Sequence, residues 1–363
     1  MFWIAILTMG GAFVLSLGIA GLVRIVVRRR GWMDRPGGHK AHERPVALGG
    51  GIAVFLAFAL PILAGLVAAR LLVNAEPISW VPQVITHHLP GLIGKTTICL
   101  GLLGGALVLH VVGLIDDIRG LPAWVRLIVQ FVVASGVVWG LGIRLTLYLP
   151  AFPAGVLSVF WLVGLINAFN LLDNMDGLSG GVGLICAGLF LWSAACAGQL
   201  FVASWLLVTM GAILGFLVYN VPPASIFMGD AGSTVVGYLL GVGSLLTTYY
   251  FANGERHFFA VFVPLVVMAI PLYDLISVVL IRVSEGRSPF RADTRHFSHR
   301  LVARGMTRRT AVFTIWLATG CTGLAATFLP GADLLGTILI FIQTIFILLI
   351  IALLEWSGGK EEK

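Results

Sequence analysis

About eleven apolar runs, each near twenty residues long, follow one another along this chain. They lie at roughly 2–27, 48–72, 92–115, 123–141, 154–172, 179–198, 200–219, 232–251, 258–282, 310–329 and 333–356. A run of ~20 apolar residues matches the hydrocarbon thickness of a bilayer. Inside it every backbone N–H and C=O must pair within the protein, which leaves the helix as the spanning element. Separators such as Ala197-Gly198-Gln199 leave no room for a soluble domain. The 363 residues therefore read as one membrane-embedded domain, 1–363, of the all-α polytopic class with about eleven transmembrane helices. Charged residues make up only 11% of the chain, against about 25% in globular proteins.

The first run has no basic residue before it and Arg28, Arg29 and Arg30 after it, the reverse of a cleavable signal peptide. It is expected to stay as a helix with its N-terminus outside. With alternating helices, seventeen of the 23 Lys and Arg fall in the odd-numbered loops. Only Arg70, Lys95, Arg144 and Arg256 fall in the even ones. The positive-inside rule then assigns the odd loops to the cytoplasm. The basic residues adjoin the bilayer and no nucleic-acid motif interrupts the spans, so anionic lipid and phosphate are the expected partners of the +7 net charge, not nucleic acid. Cys99, Cys186, Cys196 and Cys321 fall within spans without metal-ligand spacing and read as buried, inert thiols. No internal repeat supports a transporter built from two related halves.

The polar chemistry sits in five odd loops, about 28–50, 114–126, 167–181, 219–234 and 283–310. In the first, Lys40, His42 and Arg44 precede Pro45 and the triple glycine Gly49-Gly50-Gly51. Basic groups beside a glycine-rich helix start suit an anion through free backbone N–H groups; an ordinary basic loop with a glycine turn is the alternative. In the second, Asp116 and Asp117 end an apolar helix, a position that the helix dipole disfavours for acids. Adjacent carboxylates ionise together only beside a cation, so a metal or a proton-transfer role follows. In the third, NAFNLLDNMDGLSGG, the polar residues Asn167, Asn170, Asp173 and Asp176 recur every third position and are expected along one side of a helix end.

In the fourth loop Asp230, between Gly229 and Gly232, is either a site acid or a simple helix N-cap. Phe227 there reads by itself as packing and Asn220, before Pro222-Pro223, as a turn residue. The fifth loop carries Arg295, His296 and His299 among further arginines, a pattern closer to a phosphate clamp than to a zinc site. All these groups fall on the side that the charge count assigns to the cytoplasm, where they are expected to converge. Clustered carboxylates with Lys, Arg and His suit magnesium and phosphate, because Mg²⁺ takes few carboxylates and completes its shell with substrate oxygens.

In order, the loops read H-x-R-P-x-x-x-G-G-G, D-D-x-x-x-L, N-x-x-N-L-x-D-x-x-D-G-L, N-x-P-P-A-x-x-F-M-G-D-x-G-S and S-P-F-x-x-D-x-x-H-x-x-H. From Met33 to about Leu301 the chain resembles the polyprenyl-phosphate N-acetylhexosamine-1-phosphate transferases, glycosyltransferase family 4, and most closely the N-acetylglucosamine branch. The resemblance implies an enzyme of the bacterial inner membrane with a cytoplasmic active site. Its implied reaction is attack of a polyprenyl (undecaprenyl) phosphate on the β-phosphorus of a UDP-N-acetylhexosamine, releasing UMP and starting a cell-wall, O-antigen or teichoic-acid glycan. It implies Mg²⁺, with Mn²⁺ as a substitute, held by Asp230 and Asn170. Asp116 or Asp117 would act on the lipid phosphate, Phe227 and Asp176 on uracil, and Asn167 and Asp173 would shape the site. Arg126, Arg295, His296 and His299 would face phosphates, with Lys40, His42 and Arg44 near the sugar-nucleotide or lipid end. Asp274 matches a further family acid, with a structural hydrogen-bonding role as the alternative; a homodimer is compatible with the family.

Three positions depart from the pattern. Arg126 stands in place of Lys, Ser298 in place of a His, and Asn174 in place of a Gly, the last suited to a left-handed turn. The competing readings are the muramoyl-pentapeptide transferase, whose histidine-rich H-x-H-H-x-E segment HFSHRL lacks, and a transporter, which needs polar groups nearer the midplane. DNMDG also matches the start of the CDP-alcohol phosphatidyltransferase motif, but no acid follows it before Asp230.

Overall fold

The computed structural model describes residues 2–34, 45–74, 83–145, 149–247, 249, 258–288 and 295–356. Among them, nine helices are long and apolar enough to cross a bilayer. These are α1 (Phe2–Arg30), α2 (Gly50–Leu72), α4 (Thr96–Arg119), α5 (Ala123–Ser135, continued by a π turn to Gly140), α6 (Ala151–Leu172), α7 (Leu178–Cys196), α8 (Leu200–Asn220), α13 (Arg308–Ala326) and α14 (Leu334–Trp356). The apolar pair α10 (Val263–Val267) and α11 (Ala269–Ser284), bent by 64°, makes ten if it counts as one broken span and nine if it is a re-entrant loop. The eighth expected run stops early, as α9 (Asp230–Leu246). At ~1.5 Å per residue α9 is about 25 Å long, short of the ~30 Å hydrocarbon core, but nearly all of it is buried among other helices.

Two short helices were not foreseen: α3 (Gln83–Gly94) and α12 (Phe297–Ala303). The all-α architecture also includes one small antiparallel pair, β1 (Met33–Asp34) with β2 (Val46–Ala47), in which Met33 faces Ala47. Ala47 bridges on to Ile226, so this pair ties the first polar loop to the fourth.

The helix α9 is the hub, and small residues bring its neighbours to backbone contact. A Cβ on Gly51 of α2 would overlap the Gly232 backbone, and one on Gly113 of α4 would lie 2.5 Å from the Ala231 Cα. Close approach of this kind is how membrane helices associate without a hydrophobic driving force. Buried polar tips are satisfied across the bundle: Tyr238 donates to the Leu102 carbonyl and Trp205 Nε1 to that of Leu239, each at 3.0 Å. Of the four cysteines, Cys99 and Cys186 are buried as expected, whereas Cys196 and Cys321 are exposed. Hydropathy places a residue in a span but does not say which face of the helix it occupies.

Candidate active site

The turn at Gly120, with φ +68°, reverses the chain after α4 and brings Arg126 in α5 back over the acids of its last turn. The two adjacent aspartates then point to different partners. Asp117 accepts the first two backbone N–H groups of α9, from Asp230 at 2.8 Å and Ala231 at 3.2 Å. It is therefore the N-cap acceptor for a helix distant in sequence, which offsets the dipole penalty at the end of its own helix. Asp116 accepts the Leu121 N–H at one oxygen and Arg126 Nη1, at 2.5 Å, at the other. The same Arg126 nitrogen lies 2.5 Å from Asp230 Oδ2. Asp230 itself makes no side-chain cap; Gly229 occupies the N-cap position with φ +71°, and a Cβ there would meet the Asp117 carboxylate. The simple-cap reading of Asp230 is thereby overturned, since Asp117 does that work and leaves the Asp230 carboxylate to the site.

The helix α6 ends at Leu172, so only Asn167 and Asn170 share its face. The expectation of four polar groups along one helix side is corrected: Asp173 is the C-cap and Asp176 lies in the turn that Gly177 closes with φ +74°. Asn167 donates to Gln130 Oε1 at 2.6 Å and Asn170 to Ser233 Oγ at 3.2 Å. Burial pushes the Asp173 carboxyl well above the ordinary carboxylate value, nearby Asp230 and Asp117 push it the same way, and the Gly229 N–H opposes them. Asp176 accepts the Ala224 N–H at 2.9 Å, which fixes the fourth loop against the third. The buried Asn220 completes that joint by accepting from Gly177 N and donating to the Ile226 carbonyl. It is a structural bridge, not merely a turn residue.

With Asp116, Asp117, Arg126, Asn170, Asp173 and Asp230 gathered at one end of the bundle, the relatives become informative. Glycosyl transferase family 4 matches the chain over residues 99–248, the span from α4 to the end of α9. The chain is 32% identical to the decaprenyl-phosphate N-acetylglucosaminephosphotransferase of Mycobacterium leprae, over 91% of this chain and 86% of that protein. It is 30% identical to the protein of that name from Mycolicibacterium smegmatis, over 97% and 89% of the two chains. It is also 30% identical to the undecaprenyl-phosphate alpha-N-acetylglucosaminyl 1-phosphate transferase of Yersinia pestis, over 90% and 87%. The chain belongs to glycosyl transferase family 4. It is a phosphoglycosyltransferase embedded in the membrane.

The glycosyl transferase family 4 match leaves out both flanks of the site, which the structure supplies in part. Lys40, His42 and Arg44 lie outside the described residues. The glycines that follow them do not form an open anion cradle: Gly50 N donates to the Phe227 carbonyl at 2.8 Å and Gly51 N to that of Met228 at 2.9 Å. These N–H groups are consumed in clamping the loop that carries Phe227 and Asp230, and the missing Cβ atoms make room for that contact. Phe227 is half-buried, its backbone held between Ala47 and Gly50.

On the opposite flank, α12 begins directly after the N-cap His296 and carries His299 in its first turn. Asp274, fully buried in α11, accepts the Phe297 N–H at 2.9 Å and lies 3.2 Å from His296 Nδ1. Its structural reading therefore holds: it anchors the histidine segment. His299 is half-buried with its ring 6.4 Å from that of His296. Arg295 pairs with Glu285 at 2.8 Å.

Two of the positions that depart from the family pattern prove to be partners. Ser298 Oγ donates to Asn174 Oδ1 at 2.6 Å, joining α12 to the third loop, while Asn174 Nδ2 donates to the Leu171 carbonyl. Asn174 is not left-handed, because no residue other than glycine among the described residues has positive φ. Its amide serves the bond and not the turn. The expected consequence is a coupled pair: Asn174→Ala and Ser298→Ala should each lower activity several-fold, and the double variant should do little worse than either alone. A double-mutant cycle on the transfer rate checks this; additive losses would mean that the bond carries nothing.

Among the described residues no three His, Cys, Asp or Glu side chains stand ready as a metal cage. The donor set nevertheless fits a hard dication. Asp116 and Asp230 already converge on a single cationic nitrogen, and Mg²⁺ is bound by one or two carboxylates plus substrate phosphates.

Proposed function

We propose that this enzyme transfers N-acetylglucosamine 1-phosphate from a UDP-sugar to polyprenyl phosphate at the cytoplasmic face of a bacterial inner membrane. An oxygen of the lipid phosphate attacks the β-phosphorus, the bond to the bridging oxygen of the diphosphate breaks, and UMP leaves. The observation that carries this reading is Arg126 bridging Asp116 and Asp230 at the ends of α4 and α9, a position suited to joining a lipid phosphate to a water-soluble nucleotide. The charge asymmetry of the loops supports the cytoplasmic side. The names of the relatives support the sugar and the lipid.

The roles follow from the chemistry of the groups. Two phosphates approaching each other repel, so fixed cations must offset charge and hold the reactants in line. Arg126, Arg295, His296 and His299 are suited to that task, and Asp116 to orienting the acceptor phosphate. Asp176 and Phe227 are suited to uracil, and Asn167 and Asp173 to shaping the pocket. Mg²⁺, held by Asp230 and the Asn170 amide oxygen, would supply Lewis-acid neutralisation of the phosphate oxygens. A phosphate dianion is already nucleophilic, so no strong general base is required.

The test is release of UMP from UDP-N-acetylglucosamine by the purified chain with polyprenyl phosphate in detergent. Turnover is expected only with Mg²⁺ or Mn²⁺ and should stop on adding EDTA. Absence of turnover with every UDP-N-acetylhexosamine, beside an active control enzyme, would sink the proposal.

A further inference from the structure

The helix α12 has seven residues, too few to be stable alone, so its position is set by what grips it. Asp274 holds its N-terminus and Asn174 its first turn. The remaining grip comes from Glu355, the only acid of α14, distant from α12 in sequence but adjacent in space. Glu355 Oε2 accepts Arg300 Nε at 3.0 Å and the Tyr273 hydroxyl at 3.2 Å. Its backbone carbonyl accepts Arg304 Nε at 2.8 Å. The Arg300 fork continues the hold: Nη2 donates to Ser277 Oγ at 2.8 Å and Nη1 to the carbonyl of Arg295, the residue before His296. The Tyr273 ring meets Phe297 edge-on, with centroids 5.9 Å apart. Thus one carboxylate braces α12 through its arginine and through its buried aromatic.

Two features mark this as more than a surface ion pair. The side chains of Arg300 and Glu355 are 17% and 11% exposed, so water screens them little. An acid in the last turn of a helix is also disfavoured by the helix dipole, so its place at the end of α14 needs the arginines to offset it. We propose that Glu355 is a positioning residue, by which the last membrane helix sets the placement of Arg295, His296 and His299 against the substrate phosphates. The inference rests on the proposed function for its effect on catalysis, though not for the grip itself.

Full-length Glu355→Ala and Glu355→Gln are compared with wild type in detergent by two readouts. The first is the rate of trypsin cleavage after Arg300 and Arg304, relative to cleavage after Arg28, Arg29 and Arg30. The second is the KM for UDP-N-acetylglucosamine. With Ala, cleavage in α12 should accelerate about tenfold and KM rise about tenfold, the scale of a small misplacement of binding groups. With Gln, whose amide oxygen still accepts from Arg300 and Tyr273, both effects should be smaller. Arg300→Ala, read by cleavage after Arg304 alone and by KM, should match Glu355→Ala on those two measures, and the double variant should add little. Loss of active protein without a rise in KM would indicate a merely structural role and overturn the proposal. Unchanged cleavage would overturn it as well. If Glu355→Ala does not fold, the Gln variant decides by the same criteria. If wild type shows no turnover with any UDP-sugar, the proposed function fails, and accelerated cleavage alone still supports the grip.

Discussion

Asp230→Asn should lower the transfer rate by about a hundredfold to a thousandfold while leaving the thermal melting of the protein close to wild type. The magnitude is that of removing one fixed electrostatic group from a transition state with developing charge. The stability expectation comes from the division of labour at the start of α9. The helix N–H groups are capped by Asp117, and Asp230 contributes no cap of its own. Asn at this position keeps the volume and the helix, and Arg126 keeps Asp116 as its partner. What is lost is a carboxylate charge at the point where a dication and phosphates would meet. Initial rates of UMP formation and melting followed by circular dichroism in the same detergent check the two halves. Activity near wild type at ordinary magnesium would refute the metal role; a large fall in melting temperature would mean that the carboxylate is structural.

The bundle was legible in the sequence because each span is a self-contained signal: twenty apolar residues can do little else in a bilayer. The shared face of the polar loops was legible too, since basic residues mark one side of the membrane independently of the acids. What a linear reading cannot supply is direction within a cluster. Consecutive residues of a helix are about 100° apart, so Asp116 and Asp117, identical in type and adjacent in sequence, face Arg126 and the α9 N-terminus respectively. The triple glycine left two readings open for a related reason. Glycine serves both anion cradles and close backbone packing, and only the Phe227 and Met228 carbonyls show that these N–H groups are taken.

Residues far apart in sequence were the other gap. Asn174 and Ser298, separately anomalous, make sense only as a bonded pair 124 positions apart. Glu355 carried one available signal, an acid ending an otherwise apolar helix, but its partners Arg300, Arg304 and Tyr273 lie in two other elements. Short α12 lacks the length for a periodic pattern, so its existence depends on tertiary grips that no local propensity encodes.

The same geometry separates the two acids at the end of α4. Asp116→Asn should lower transfer about a hundredfold with little change in melting, because the amide oxygen can still accept the Leu121 N–H while the charge facing Arg126 is lost. Asp117→Asn should lower both. Its two carboxylate oxygens serve two backbone donors, and an amide offers one acceptor and turns a donor toward the other N–H. Leaving such a buried donor unsatisfied costs about 1–3 kcal/mol. The start of α9 would shift with it, carrying Asp230 away from Arg126, so the loss of activity is a consequence of displaced geometry. Asp117→Ala should be more severe in stability than Asp117→Asn, since it strands both donors. Melting curves and initial rates for the three variants test the assignment together. If Asp117→Asn melts like wild type, the cap is not holding α9; if Asp116→Asn turns over normally, the charge opposite Arg126 is not needed for the reaction. The predicted pattern, one neighbour affecting rate alone and the other rate and stability, follows from a single helical step between them.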